Sequence, residues 1–130
     1  MNRAALRKRK AGKFAAIERQ LDALLRKRAM ERDKGLCQMS LPKKVKADDV
    51  HHIFPRSQSK RTRWQLRNAI SLSRTWHDLA KSHPVEFRVC MLRRFTQSEW
   101  DSLERDANTP LPSPTMEWYE GQRKKLEEAK

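Results

Sequence analysis

The stretch Asp49-Val50-His51-His52-Ile53-Phe54-Pro55-Arg56-Ser57 constrains this chain more than any other. An acid–apolar pair leads into two adjacent histidines, and Ile53 and Phe54 then run into Pro55. Proline cannot donate to a ladder, so the pattern reads as a short strand that stops there. A basic loop follows. In Asn68-Ala69-Ile70-Ser71-Leu72-Ser73, Ile70 and Leu72 alternate with small or polar residues, which predicts a second short strand. Arg74 to Lys81 then reads as the start of a helix capped at Ser73. The order is strand, loop, strand, helix. It carries His51 and His52 on the first strand, Asn68 before the second, and His77 on the helix.

Taken singly, each of these residues has a bland explanation: a surface histidine pair, a capping asparagine, a solvated helical histidine. The ordered set is harder to explain that way. Over residues 47–82 it resembles the HNH endonucleases, whose fold unit is the ββα-metal finger. The resemblance implies that His52 is the general base, taking a proton from a water aimed at a phosphodiester phosphorus. Neutral imidazole suits this because its ordinary pKa lies near neutrality. It implies that His51 and His77 are metal ligands, and that Asn68 holds the loop and helps to orient the base. Two protein ligands leave positions open for phosphate oxygens and water, as a catalytic rather than a structural ion requires. The motif is also similar to that of the nuclease colicins, which have a further histidine one helical turn later. Lys81 stands there in this chain, so the implied site has two histidines with the substrate completing the shell. The implied cofactor is one divalent ion, Mg²⁺ or Mn²⁺ in action, with Zn²⁺ or Ni²⁺ also suited to two imidazoles. Asp49 or Asp78 could add a carboxylate to the site, though each reads better as a supporting or surface residue.

Many HNH proteins brace the finger with two CxxC knuckles around zinc. The two cysteines here, Cys37 and Cys90, form no such pair, so no zinc ribbon is expected and both read as free thiols.

Lys and Arg outnumber Asp and Glu 30 to 16, a formal net charge of +14. A polyanion is therefore the default partner, because basic side chains release condensed counterions from phosphates on binding. The candidate DNA contacts are Arg56, Lys60, Arg61, Arg63 and Arg67 in the loop, Lys43 and Lys44 ahead of the first strand, and Arg7, Lys8, Arg9 and Lys10 near the N-terminus. No acid interrupts the loop from Pro55 to Arg67, and Trp64 and Leu66 are placed to anchor its far end. Arg56 and Arg67 are alternative stabilisers of transition-state charge, between which the sequence does not choose.

The expected fold is α+β and mostly helical, a ββα-metal finger flanked by a long basic N-terminal helix and by C-terminal helices. Residues 1–34 read as a basic arm, with a partial apolar stripe of Leu6, Phe14, Ile17, Leu21, Leu24, Leu25 and Met30 and with Gly35 as the C′ residue. For residues 14–30 a phosphate-binding arm and a helix packed on the finger are equally good readings, and both can hold, one on each face. Residues 35–107 read as the nuclease domain with supporting helices, its finger core at 47–82, entered through an irregular hairpin. Residues 108–114 read as a proline-rich linker and 115–130 as a charged C-terminal helix, which either folds back or serves a homodimer or a partner protein.

No segment has the length and apolarity of a membrane span, and the basic N-terminus lacks the apolar core of a secretory signal. The expected location is the cytoplasm, a bacterial host's if the chain is phage-encoded, a context taken from compact members of the resembled family. The leading expectation is a metal-dependent DNA endonuclease. The alternative is a non-catalytic DNA-binding protein built on a degenerate finger. An RNA-binding basic protein ranks third, because such a protein has no need of the ordered histidines and asparagine.

Overall fold

Helix α1 (Arg3–Arg32) is built largely from strong helix formers, and every fourth residue along one edge is apolar. Ile17, Leu21, Leu25 and Ala29 are all buried. In the computed structural model, which describes residues 3–129 with side chains from residue 12 onward, α1 is followed by six further α or β elements and a short 3₁₀ turn. Strand β1 (Asp49–His52), the turn Leu66–Asn68 and strand β2 (Ala69–Leu72) precede α2 (Arg74–Ser82), α3 (Pro84–Leu92), α4 (Gln97–Asn108) and, last in the chain, α5 (Met116–Glu128). The fold is α+β and mostly helical, with one two-stranded antiparallel sheet among the described residues. The segment ahead of β1 is the expected irregular hairpin: Leu36 bridges Lys46, and the Cys37 N–H donates to the Val45 carbonyl at 2.7 Å.

The end of α1 differs from expectation by one residue. Lys34, not Gly35, takes the first left-handed position, with φ of 56°, and Gly35 follows at 68°. The Gly35 N–H reaches back to the Met30 carbonyl at 2.9 Å and the Lys34 N–H to that of Glu31 at 3.2 Å, which is a Schellman ending. A left-handed lysine costs about 1 kcal/mol. The turn starts early because the residue before it, Asp33, is buried and tied to the sheet. Its carboxylate accepts from the Ser71 N–H at 3.1 Å and from Arg32 Nε at 2.8 Å. Arg32 in turn donates to the carbonyls of Leu66 and Ala69, at 2.8 and 2.6 Å.

The register pairs Asp49 with Leu72, Val50 with Ser71, His51 with Ile70 and His52 with Ala69. Directly opposed residues share a face. Ile70 and Leu72 therefore lie on the side of Cys37, Phe54, Phe87, Met91, Trp100 and Leu103. Val50 and Ala69 lie on the other side, with Ile17, Leu21, Leu25, Trp64, Tyr119 and Leu126. Helices α2 to α4 thus cover one face and α1 with α5 the other, and all four residues of β2 are buried.

Caps set the helix starts. Ser73 accepts from the Trp76 N–H, Thr115 from the Trp118 N–H, and Thr96 and Glu99 form a reciprocal capping box. Pro84 opens α3, where its missing N–H is not needed. Helix α5 folds back on α1: the Tyr119 ring lies 4.8 Å from that of Phe14, and Arg28 donates to the carbonyls of Leu126 and Glu127 near the end of α5. From Ile17 to Ala29 the apolar stripe packs as expected, and the apolar side of α5 is used within the chain. Fully burying Leu21 and Leu25 contributes about 1.5–3 kcal/mol each before ordering entropy is counted. Among the described residues no helix is long and apolar enough to cross a membrane.

Burial raises the affinity of Asp33 for a proton, but the bonds from Arg32 and Ser71 outweigh it and hold the carboxyl below its usual 3.8. The folded chain therefore binds this proton more weakly than the unfolded chain. The stability it contributes is complete above the ordinary carboxylate range and is lost as pH falls through the lower folded value. Asp33→Asn should lower the urea midpoint at neutral pH, and its difference from the wild type should shrink below about pH 4. A difference that stays constant with pH would remove Asp33 from the acid-sensitive set.

Candidate functional site

Asn68 closes the loop between the strands. Its side chain is fully buried; Oδ1 accepts from the Phe54 N–H at 2.8 Å and Nδ2 donates to the Phe54 carbonyl at 3.1 Å. The Ile53 N–H donates to the Asn68 carbonyl at 2.8 Å. One amide side chain thus satisfies both backbone groups of the residue at which the chain leaves the hairpin. Only a group with a donor and an acceptor side by side can do this.

On the face toward α2, three side chains meet. The Asp49 carboxylate Oδ2 lies 3.0 Å from His77 Nδ1. An ionised carboxylate only accepts, so Nδ1 carries the hydrogen and, in the neutral ring, Nε2 keeps the lone pair. Asp49 also accepts from Arg74 Nε at 3.0 Å, and the His77 and Arg74 contacts hold its carboxyl below its usual value against a small opposing effect of burial. The His77 ring lies 5.5 Å from that of His51, nearly edge-on, and His51 in turn sits edge-on to Phe87 at 5.3 Å. Burial, followed by the charges of His77, His52 and Lys81, pushes His51 down to about 4, so its imidazole is neutral at working pH.

These residues fit a divalent ion. Both rings offer a nitrogen lone pair, and a carboxylate fixes the tautomer of one of them, as behind many ligating histidines. Two imidazoles on one ion, with nitrogens about 2 Å from it, have ring centres roughly 5–6 Å apart. Asp49 takes both His77 and Arg74 on Oδ2, and no group of three or more His, Cys, Asp or Glu side chains converges on a metal position among the described residues. His51 and His77 are the side chains that would hold such an ion. Asp78 lies exposed on α2.

His52 faces the other way. Alternation along β1 turns it toward α1, where its Nε2 lies 3.0 Å from the Arg63 carbonyl oxygen. A carbonyl only accepts, so Nε2 carries the hydrogen and Nδ1 is the basic nitrogen of the neutral ring. Burial lowers the His52 pKa, partly offset by the Arg63 carbonyl. Arg63 is itself held by Asp22 on α1, with Nη2 to Oδ2 at 2.8 Å and Nε to Oδ1 at 3.2 Å. The Trp64 indole N–H donates to the same carboxylate at 2.8 Å. Nothing in the loop sequence pointed to Asp22. The available signal was the acidic pair Glu18 and Asp22, four residues apart on a predominantly basic helix and hence on one face.

Most of the loop's cations have partners inside the chain. Lys60 pairs with Glu18 at 3.0 Å and donates to the Tyr119 hydroxyl, and Arg61 donates to the carbonyls of Thr109 and Pro110. Arg67 pairs with Asp106 at 2.6 Å and donates to Gln65 and Ser102. Arg56 is the most open, 57 % exposed and 3.5 Å from Asp22. Lys43 and Lys44 are exposed and take no ion pair among the described residues. Trp64 is buried and Leu66 packs beside it, anchoring the loop as expected. The side chains of Arg7, Lys8, Arg9 and Lys10 lie outside the described residues. Cys37 is a free thiol in the core and Cys90 a half-buried one.

Comparison of the chain with protein-family models, with curated proteins and with solved structures gives no match in any of the three.

Replacing Asn68 by alanine removes both bonds to Phe54 and leaves its backbone groups buried and unpaired, a loss of about 1–3 kcal/mol. The Phe54 and Ile53 amides should exchange with solvent faster in Asn68→Ala, by a larger factor than amides of α5. Unchanged exchange at both would mean that the loop is held by something other than this side chain.

Proposed function

We propose that this protein is a metal-dependent DNA endonuclease built on a ββα-metal finger formed by β1, β2 and α2. The observation that carries the proposal is the set Asp49, His77 and His51: a carboxylate-oriented imidazole beside a neutral one, on a hairpin pinned by Asn68. A divalent ion bound by His51 and His77 would supply positive charge to a scissile phosphate oxygen and to the departing oxygen. His52 offers Nδ1 to take a proton from water, while Nε2–H stays on the Arg63 carbonyl and fixes the ring. The hydroxide oxygen bonds to phosphorus, the bond from phosphorus to the departing sugar oxygen breaks, and that oxygen takes a proton from solvent. The products would carry a 5′-phosphate and a 3′-hydroxyl. The net charge of +14 supports a nucleic-acid partner, with Arg56, Lys43 and Lys44 the most available contacts.

A second reading, a DNA-binding module without catalysis, draws on the position of His52 on the opposite hairpin face from His51 and His77. For the nuclease, the phosphate must lie across the open edge of β1 so that water reaches His52 from one side and the ion sits on the other.

Plasmid cleavage by the full chain with EDTA, Mg²⁺, Mn²⁺, Ni²⁺ and Zn²⁺ separates the two. Metal-dependent cleavage should appear in the wild type and fall about 10²- to 10⁴-fold in His52→Ala, with DNA binding retained. His77→Ala should lose cleavage and metal affinity together. Salt-sensitive DNA binding with no cleavage under any ion would select the second reading, and full activity in His52→Ala would remove it as the base.

A further inference from the structure

A groove of about 500 Å³ opens beside His51, with Phe54, Phe87, Met91 and Trp100 forming its apolar wall and Lys81 and Arg88 at its rim. Its size lies in the range of sites that hold a nucleoside-sized ligand. It is continuous with the imidazole pair, because Phe87 packs edge-on to His51 at 5.3 Å. Lys81 is four residues after His77 on α2, so the two share a helix face. No ion pair holds Lys81 among the described residues, and its charge therefore stands beside the position of a phosphate at the imidazoles. Arg88 lies over the Trp100 ring at 5.2 Å and 3.5 Å from Glu104, still 54 % exposed. An apolar wall that joins a cationic, imidazole-bearing end matches one ligand class well: a flat, largely apolar base joined to a phosphate.

Building on the nuclease reading, we propose that this groove takes the nucleobase attached to the phosphate held at His51 and Lys81, so that the substrate strand enters with that base unpaired and unstacked. A base inside a duplex cannot reach a wall on the protein, and extruding it is easiest where the strand is already single, branched or mismatched. The preferred substrate is then single-stranded or locally open DNA rather than closed duplex.

Methyl resonances of the full chain, labelled at methionine and kept in EDTA, test this without any cleavage. Deoxyadenosine monophosphate should shift the Met91 methyl to saturation and leave that of Met116, exposed on α5, unmoved. Deoxyribose phosphate, which lacks the base, should bind about tenfold more weakly. Gln58→Trp, a change at an exposed residue on the groove's lip, should abolish the Met91 response to the nucleotide while sparing deoxyribose phosphate binding. Equal affinity for the two ligands would show that only phosphate is read and would overturn the proposal. So would a silent Met91, or a Met91 response to an apolar peptide but not to the nucleotide, which would assign the groove to a protein partner. A chain that binds the nucleotide here but cleaves no DNA would retain this site and lose the nuclease reading alone.

Discussion

Four residue pairs form the hairpin of β1 and β2, and helices cover both of its sides. A strand sends successive side chains to opposite faces, so a covered two-sided hairpin gives adjacent residues different surroundings. His51 meets His77 and Phe87, and His52 meets the Arg63 carbonyl that Asp22 of α1 helps to hold. Both imidazoles are half-buried and neutral, yet they are tuned by different neighbours. A histidine pair on a one-sided sheet would leave one ring in water with no fixed tautomer.

The second consequence concerns charge. A loop with five cations and no acid repels itself when taken alone. The acids that balance it come from far along the chain: Glu18 and Asp22 on α1, Asp106 on α4. These contacts also place the Arg63 carbonyl that orients His52. The helices around the hairpin are therefore more than ballast for a small core. They decide which cations are spent on structure and which, such as Arg56, Lys43 and Lys44, stay available to an anionic partner.

The elements were largely legible because their signals are local. Alternation at Ile70 and Leu72, the cap at Ser73, Pro84 at the start of α3 and the Thr96–Glu99 box all act within a few residues. The end of α1 was displaced because burial of Asp33, a tertiary event, overrode the preference for glycine at the left-handed position. Within the site, the meeting of His51 and His77 follows from strand, loop, strand and helix in that order. The roles of Asp22 and Asp49 do not, since each depends on which face of a distant element packs against the hairpin. The partners of Lys60, Arg61, Arg63 and Arg67 were hidden for the same reason: an uninterrupted basic run shows its charge, while its counterions sit on other elements.

The most direct measurement on the two-imidazole site is anomalous diffraction from crystals grown with Mn²⁺, with and without a short oligonucleotide. One anomalous peak bonded to both His51 and His77, with Asp49 on the far nitrogen of His77 and phosphate or water filling the remaining positions, is the predicted result. Absence of any peak at saturating Mn²⁺, or a peak elsewhere that leaves His51 and His77 in mutual contact, would contradict a metal role for the pair and return the hairpin to a structural one.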